Sequence, residues 1–508
     1  MAATGDWITL RLNGIKYFEK PPLQTWMNAL TFKVFGLGEW QARLWTGLCG
    51  LLGIVLVAHT GRRLFGERIG FFAGTVLATC FMWAGLGHFN SLDMGLAGMM
   101  TIALCSLLIA QRDDATARER RNWMLLCWAG MALSALSKGL IGIVLPGAAL
   151  VLYTLISRDW AIWKRLHFGA GLLVFFAITT PWFVLISLKN PEFPHFFFIH
   201  EHFQRFTSKV HHREGPWHYF IPFLLLGIFP WLGVLAQSLW HGRRDSSQTF
   251  QPKTMLLVWS VFIFFFFSIS GSKLPAYILP IFPALALLVA CYLDKASFKN
   301  IAATAGLLAL AGAIGLALAS KVPALAKNPF EIPLFQSYIP WVFAAAAIGL
   351  IGGLTGIWLA RRQKEWAIVV IGAAGFAYSQ MLMFGHEQFG RYSAGVNYVP
   401  AIAAELTPDT PIYAVGRYQQ ALPFYLSRTM ILVEHPDEML FGVTQEPHLW
   451  LPTRDAFLSK WKTDHANGKK AIAIIRPDIF KSFQEQGVPM RVIAQDPRRV
   501  VVTNEAGK

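Results

Sequence analysis

FGAGLLVFFAITTPWFVLISL, residues 168–188, carries no charged side chain. A run of this length matches the about 20 residues that cross the hydrocarbon core of a bilayer. Inside that core the backbone satisfies its own hydrogen bonds only as a helix or a closed barrel. The stretch is one of a series. Working outward from it, apolar runs lie near 45–60, 70–87, 92–110, 123–137 and 139–156 on one side. On the other they lie near 218–240, 254–270, 275–293, 300–319, 340–360 and 366–384. The reading is a polytopic α-helical membrane protein with about twelve transmembrane helices.

Composition agrees. Of 508 residues, 54% are hydrophobic and only 15% charged, against about 25% charged in soluble proteins. Mean hydropathy is +0.43. A net charge of +16 would suit a nucleic-acid partner in a soluble chain, but here the apolar runs exclude that class. Basic residues in such a chain set topology or meet lipid phosphate. The cysteines (Cys49, Cys80, Cys105, Cys127, Cys291) all fall in apolar runs, so no disulfide framework is expected in the polar C-terminal region.

The connections Gly61–Arg68, Gln111–Arg121, 157–165, 241–253, 294–299 and 361–364 are basic, and the positive-inside rule makes them cytoplasmic. The opposite face then holds residues 1–40, the turn His88–Leu92, Lys138, the loop 189–217, the turn Ser270–Pro275, the segment 320–339 and everything after about 385. Lys20, Lys138, Arg205, Lys209, Arg213 and Lys273 lie there against the topological bias, and phosphate binding is a reason for them. Residues Met1–Gly14 read neither as a signal peptide nor as a span, so an outer N-terminus means either a short segment translocated unaided or, the favoured reading, a first helix missing from the chain as written.

The expected division is an outer amphipathic segment over 1–40, a transmembrane domain over 41–390 and a small α/β domain over 391–508. In the last, Pro411–Val415, Met430–Val433, Ala471–Ile475, Arg491–Ile493 and Val500–Val502 read as strands. Ala456–Lys462 and Ile479–Gln486 read as helices between them. Gly416 is a lone glycine and not a phosphate loop, so this domain reads as a cap.

Five places carry residues with chemistry. In Tyr17-Phe18-Glu19-Lys20-Pro21-Pro22, Lys20 precedes a helix marked by Leu23, Trp26, Met27, Leu30 and Val34 and stopped by Gly36. A cation at an unpaired helix N-terminus suits an anion; the alternative is a lysine snorkelling to headgroups. Asp93 opens an apolar run, as an N-cap or as a carboxylate facing substrate. Lys138, in Ser137-Lys138-Gly139, sits in a tight turn, to stay wet or to meet phosphate with Ser137 as a further donor. The loop 189–217 holds His195, His200, Glu201, His202, Arg205, Lys209, His211, His212 and Arg213 among phenylalanines suited to the headgroup layer. His200 and His202, two apart, suit a strand or loop. With Glu19 they would give zinc a mixed nitrogen and oxygen set; otherwise they are interfacial histidines. Last, Ser272-Lys273-Leu274-Pro275-Ala276-Tyr277 joins two runs. Its prolines bend the next helix and its phenol faces a cavity or the interface belt.

Together these stretches resemble a known family. Gly5-Asp6-Trp7-Ile8, Asn13-Gly14, Tyr17–Pro21, the Ser-Lys-Gly turn at Lys138, Glu201–Phe206 and Lys273-Leu274-Pro275 with Tyr277 occur in the order found in bacterial aminoarabinose lipid A transferases. More broadly they resemble membrane glycosyltransferases of the protein mannosyltransferase type. The likeness is close over residues 5 to about 290. It implies a GT-C-like fold with thirteen spans, chemistry on the periplasmic side of the bacterial inner membrane, and a C-terminal domain on that side. It also implies transfer of a sugar, 4-amino-4-deoxy-L-arabinose, from undecaprenyl phosphate to lipid A or a related envelope acceptor. Residues expected at the donor phosphate are Tyr17, Lys20, Lys138, Arg205 and Lys273. Those expected in catalysis are Lys20, Asp93, Lys138 and Tyr277. A divalent metal, zinc, is expected at Glu19, His200 and His202, and no other cofactor. The family's Asp-Glu pair, which follows its first helix, would precede Met1, so the chain as written is expected to be a fragment without transfer activity. Two other functions fit the same helices: a protein O-mannosyltransferase, and a flippase that moves polyprenyl lipid without consuming it.

Overall fold

The computed structural model describes residues 1–204, 215–243 and 249–505, with the backbone alone for 200–204. Contacts divide the chain into two compact units. One comprises Met1–Ile8, Glu19–Leu318 and Val342–Met383; the other comprises Thr9–Phe18, Ala319–Trp341 and Phe384–Lys508.

The helices up to the polar region are α1 (Leu23–Phe35), α2 (Glu39–Phe65), α3 (Glu67–Thr79), α4 (Phe81–Leu86), α5 (Leu92–Ala110), α6 (Ala117–Lys138), α7 (Ile141–Ser157) and α8 (Phe168–Lys189). They continue as α9 (Phe220–Gly227), α10 (Leu232–Gly242), α11 (Pro252–Ile269), α12 (Phe282–Lys295), α13 (Phe298–Leu318), α14 (Ile332–Ala360) and α15 (Lys364–Gly385). Every apolar run read from the sequence is helical. Among the described residues eight helical segments are long and apolar enough to cross a membrane, or nine if α9 and α10, bent by 103°, form one span. The about twelve expected spans include three that do not qualify on length and apolarity. The 70–87 run breaks at Cys80, whose backbone is extended. The second, α6, has charged ends, and the third, α7, has only 17 residues. The fold is that of a multi-pass membrane protein.

Burial orders the bundle. The most apolar stretch of α5 is 89% buried and that of Pro275–Lys295 is 83%, against 28% for α8. The first two are therefore inner helices, and α8 presents most of its surface to lipid. Without a hydrophobic drive between helices in lipid, close backbone packing holds such bundles together. α13 and α14 meet in this way: a Cβ on Gly353 would lie 2.4 Å from the Ala309 backbone nitrogen.

The second unit is built on a six-stranded sheet. Its strands are β3 (Ile412–Val415), β4 (Ile431–Val433), β5 (Trp450–Leu451), β6 (Ile472–Ile475), β7 (Arg491–Asp496) and β8 (Arg499–Thr503), in the order β5-β4-β3-β6-β8-β7. The first four are parallel, and β8 and β7 close one side antiparallel. Strands buried on both faces read as unbroken apolar runs, and the central β3 and β6 do. Tyr413, Val415, Ala473 and Ile475 face one core with Phe457 and Trp461; Ile412, Ala414, Ile472 and Ile474 face the other with Ile15 and Leu422. Ile15 comes from a hairpin of β1 (Arg11–Leu12) and β2 (Ile15–Lys16) that packs within this unit.

Candidate active site

Three chain reversals in the membrane unit bring charge to one wall. α5 begins after Ser91, so Asp93 falls in its first turn, while α6 ends at Lys138 and the chain turns through Gly139, at φ 78°. An acid at a helix start and a cation at a helix end both complement the helix dipole. The two side chains form an ion pair. The Lys138 ammonium also lies 4.3 Å from the centroid of the Tyr277 ring, a cation–π contact. Tyr277 is carried by a tight 3₁₀ segment, Pro275–Ile281, which the prolines impose by removing backbone donors. Its ring packs 5.3 Å from that of Phe267.

Glu19 and Lys20 come to the same wall from the approach to α1. Lys20 Nζ donates to the Glu19 carbonyl at 2.9 Å and lies 3.6 Å from the Glu19 carboxylate. These side chains line a cavity of about 450 Å³. Its opposite character is apolar, from Leu96, Leu140, Ile141, Val144, Phe266 and Phe267, with a polar edge at Ser270–Ser272. A hollow with ammonium groups at one wall and hydrocarbon at the other suits an amphiphile with an anionic end.

Comparison with known proteins agrees with this geometry. The aminoarabinose transferase C-terminal domain matches residues 398–504, and the dolichyl-phosphate-mannose-protein mannosyltransferase family matches residues 19–185. An undecaprenyl phosphate-alpha-4-amino-4-deoxy-L-arabinose arabinosyl transferase of Edwardsiella ictaluri is 33% identical over 403 residues, 75% of this chain and 71% of that one. Its counterpart in Erwinia tasmaniensis is 31% identical over 74% of this chain and 68% of that one. The crystal structure of ArnT from Cupriavidus metallidurans bound to undecaprenyl phosphate is 42% identical, with a TM-score of 0.93 over 100% of this chain and 92% of that one. The chain belongs to the aminoarabinose transferase family. It has the GT-C fold of that structure, and the family's members are glycosyltransferases.

Of the residues that the aminoarabinose transferase resemblance singled out, the structure gathers Glu19, Lys20, Asp93, Lys138 and Tyr277 around one cavity. Others make contacts of their own. Lys273 was expected at the donor phosphate, but it is 6% exposed and its Nζ donates to the carbonyls of Ser268 at 2.8 Å and Ser270 at 2.6 Å. It caps the end of α11, where carbonyls have no partner within the helix. Burial there pulls the Lys273 amine below its ordinary range. Tyr17, also expected at the phosphate, belongs to the second unit, where its hydroxyl donates to Glu438 at 3.4 Å. Ser137 donates back to Leu133 at 2.8 Å within α6, so its hydroxyl donor is already used.

The histidine loop differs from its reading. Residues His195–Gln204 form a π-helix and not a strand or loop. Phe193, Phe196 and Phe197 are buried, with Phe193 against Trp182 and Phe183 and Phe197 against Phe183. Arg205 and the side chains of His200 and His202 lie outside the described residues. Among the described residues no three His, Cys, Asp or Glu side chains come close enough together to hold a metal ion. Glu19, the expected carboxylate ligand, is paired with Lys20. The described residues therefore do not make up a zinc site, and no step is assigned to one.

Two features escaped the sequence reading. The Ser270-Gly271 edge had a signal, a short polar run closing an apolar one, immediately before the quoted turn. The apolar wall from α7 and α11 had none, because its residues look like those of any span.

Proposed function

We propose that the chain transfers 4-amino-4-deoxy-L-arabinose from undecaprenyl phosphate to lipid A, acting in the bacterial inner membrane. The cavity and the C-terminal domain, 391–508, face the periplasm; the basic connections, which the positive-inside rule holds in the cytoplasm, support this. The observation that carries the reading is Lys138. It is held between the Asp93 carboxylate and the Tyr277 ring, at the wall of a half-apolar cavity that Lys20 also lines.

The reaction is displacement at the anomeric carbon. The bond from that carbon to the polyprenyl phosphate oxygen breaks as one to an acceptor oxygen forms. Charge builds on the departing phosphate, and ammonium groups already in place lower that barrier without reorganising. Lys20 and Lys138 supply them, and Arg205 is a third cation from the loop. Asp93 and Tyr277 hold the Lys138 ammonium on the cavity side of its helix end. The polyprenyl chain lies along Leu140, Ile141, Val144 and Phe266. A lipid A phosphate, with a second pKa of about 6, is already ionised and needs no strong general base; an alcohol acceptor would.

Reconstituted vesicles holding labelled donor and lipid A test this. Label should pass to lipid A, and Lys20→Ala should lower the rate by about 100-fold or more with insertion into the bilayer unchanged. Transfer to protein hydroxyls with none to lipid A would point to an O-mannosyltransferase-like enzyme. Donor crossing the bilayer intact would point to a flippase.

A further inference from the structure

A second hollow of the membrane unit lies at the other ends of two helices that wall the cavity. α7 gives the cavity Ile141 and Val144 at its start, and gives this groove Leu152 and Ile156 at its end. α11 gives the cavity Phe266 and Phe267 near its end, and gives the groove a row from Thr254 to Phe265. α10 completes it with Leu239 and Trp240, and its volume is about 970 Å³.

The groove is graded from end to end. Its polar lining residues, Arg243, Gln251 and Thr254, all sit where α10 ends and α11 begins. Arg243 is the sole charged lining residue among those described. The guanidinium lies 4.9 Å from the Trp240 ring centroid, which holds a cation at the groove mouth instead of leaving it to range freely. Away from that end the lining is hydrocarbon that no protein covers: Ile156 is 64% exposed and Phe265 is 60% exposed. From Thr254 to Phe265 the helix advances about 16 Å at 1.5 Å per residue. That is close to half of the about 30 Å hydrocarbon core, the depth of one leaflet.

Charge, shape and length together describe an amphiphile with an anionic head and a chain one leaflet deep. We propose that this groove binds an anionic membrane phospholipid, with its phosphate at Arg243 and an acyl chain along Thr254–Phe265. The 241–253 connection is one of the basic ones, so the lipid comes from the cytoplasmic leaflet. Ordinary annular lipid would coat the exposed face of α8 equally well; the groove differs in being concave and in carrying one oriented cation.

The test uses the whole chain, reconstituted into vesicles of equal parts phosphatidylglycerol and phosphatidylethanolamine, extracted in mild detergent and assayed by mass spectrometry for retained phospholipid. The wild type should retain phosphatidylglycerol preferentially. Arg243→Glu should lower that retention about 5-fold, the effect of one basic residue on an anionic lipid. Val261→Trp, which fills the groove and leaves the charge alone, should lower it similarly. Leu173→Trp, on the exposed face of α8, should not. Each variant's melting temperature in lipid-free detergent separates loss of the fold from loss of the lipid, and two unrelated variants guard against either one failing to fold. Equal retention of both phospholipids by the wild type, or equal loss with Leu173→Trp, would overturn the site. So would undecaprenyl phosphate displacing phosphatidylglycerol from it at equal abundance. None of these readouts depends on sugar transfer.

Discussion

Lys138, the last residue of α6, pairs with Asp93 in the first turn of α5. Both are mostly shielded from solvent, at 19% and 15% side-chain exposure. The pair does more than join two helices, because the same ammonium rests on the Tyr277 ring and faces the cavity. Three segments distant in sequence thus fix one cation. If that cation receives the donor phosphate, each partner acts through it.

The first expectation is therefore non-additivity. Asp93→Asn and Lys138→Ala should each lower the transfer rate at least about tenfold, and the double variant should be little worse than either alone. A double-mutant cycle on the rate should return a coupling of about 1–3 kcal/mol, as for residues in direct contact. Additive losses would mean that the two act separately.

Tyr277 separates ring from hydroxyl. If the ring's face holds Lys138, Tyr277→Phe should keep most activity while Tyr277→Leu should lose about 5-fold, the worth of a cation–π contact of about 1 kcal/mol. Equal loss in both would assign the role to the phenol oxygen.

Lys273 should behave as a structural residue. Removing its ammonium leaves the Ser268 and Ser270 carbonyls without their donor. Lys273→Met should cost about 1–3 kcal/mol of stability, read as a lower melting temperature, with the KM for donor unchanged in the folded fraction. A raised KM at unchanged stability would return Lys273 to the phosphate site.

The second unit makes a prediction about pH. Arg11 grips the Glu446 carboxylate with two bonds, at 2.5 and 3.0 Å, and holds that carboxyl below the usual glutamate range. A depressed folded pKa contributes stability in full above the ordinary value of about 4.3 and loses it as pH falls through the folded value. The protection factors of the amides over residues 9–18, taken against the intrinsic exchange rate at each pH, should therefore fall below about pH 4 in the wild type. Glu446→Gln should show the reduced protection at neutral pH already, with little further change in it on acidification.

Much of this architecture could be read from residues alone, and the failures have physical causes. The membrane runs and the strands at 412–415, 431–433, 472–475 and 499–503 were legible because burial on all sides leaves an unbroken apolar signature. β5 was missed because two residues carry no pattern. The hairpin at Asn13-Gly14 should have been legible. The two residues have φ of 54° and 78°, and Asn-Gly between apolar residues is a strong hairpin signal. Here it was absorbed into an amphipathic segment. Its partner was not legible, since Asn13 bonds both backbone groups of Met430, far along the chain. For the site, Lys20, Asp93 and Lys138 were visible as charges out of place. Lys273 looked the same by that criterion, and only the carbonyls around it tell a cap from a ligand.

That hairpin gives a further check. Asn13→Ala loses both bonds to Met430 and keeps a left-handed backbone, at a cost of about 2–4 kcal/mol. Asn13→Gly loses the bonds but tolerates the backbone, so its melting temperature should fall between those of the wild type and the alanine variant.

The central claim is that ammonium groups at this cavity grip the phosphate of a polyprenyl lipid. The affinity of undecaprenyl phosphate for the chain in nanodiscs, with and without Lys20→Ala and Lys138→Ala together, tests it most directly. The account predicts a Kd raised by about 10-fold or more for the double variant, as expected when charge-assisted hydrogen bonds to a phosphate are removed. An unchanged Kd would contradict it.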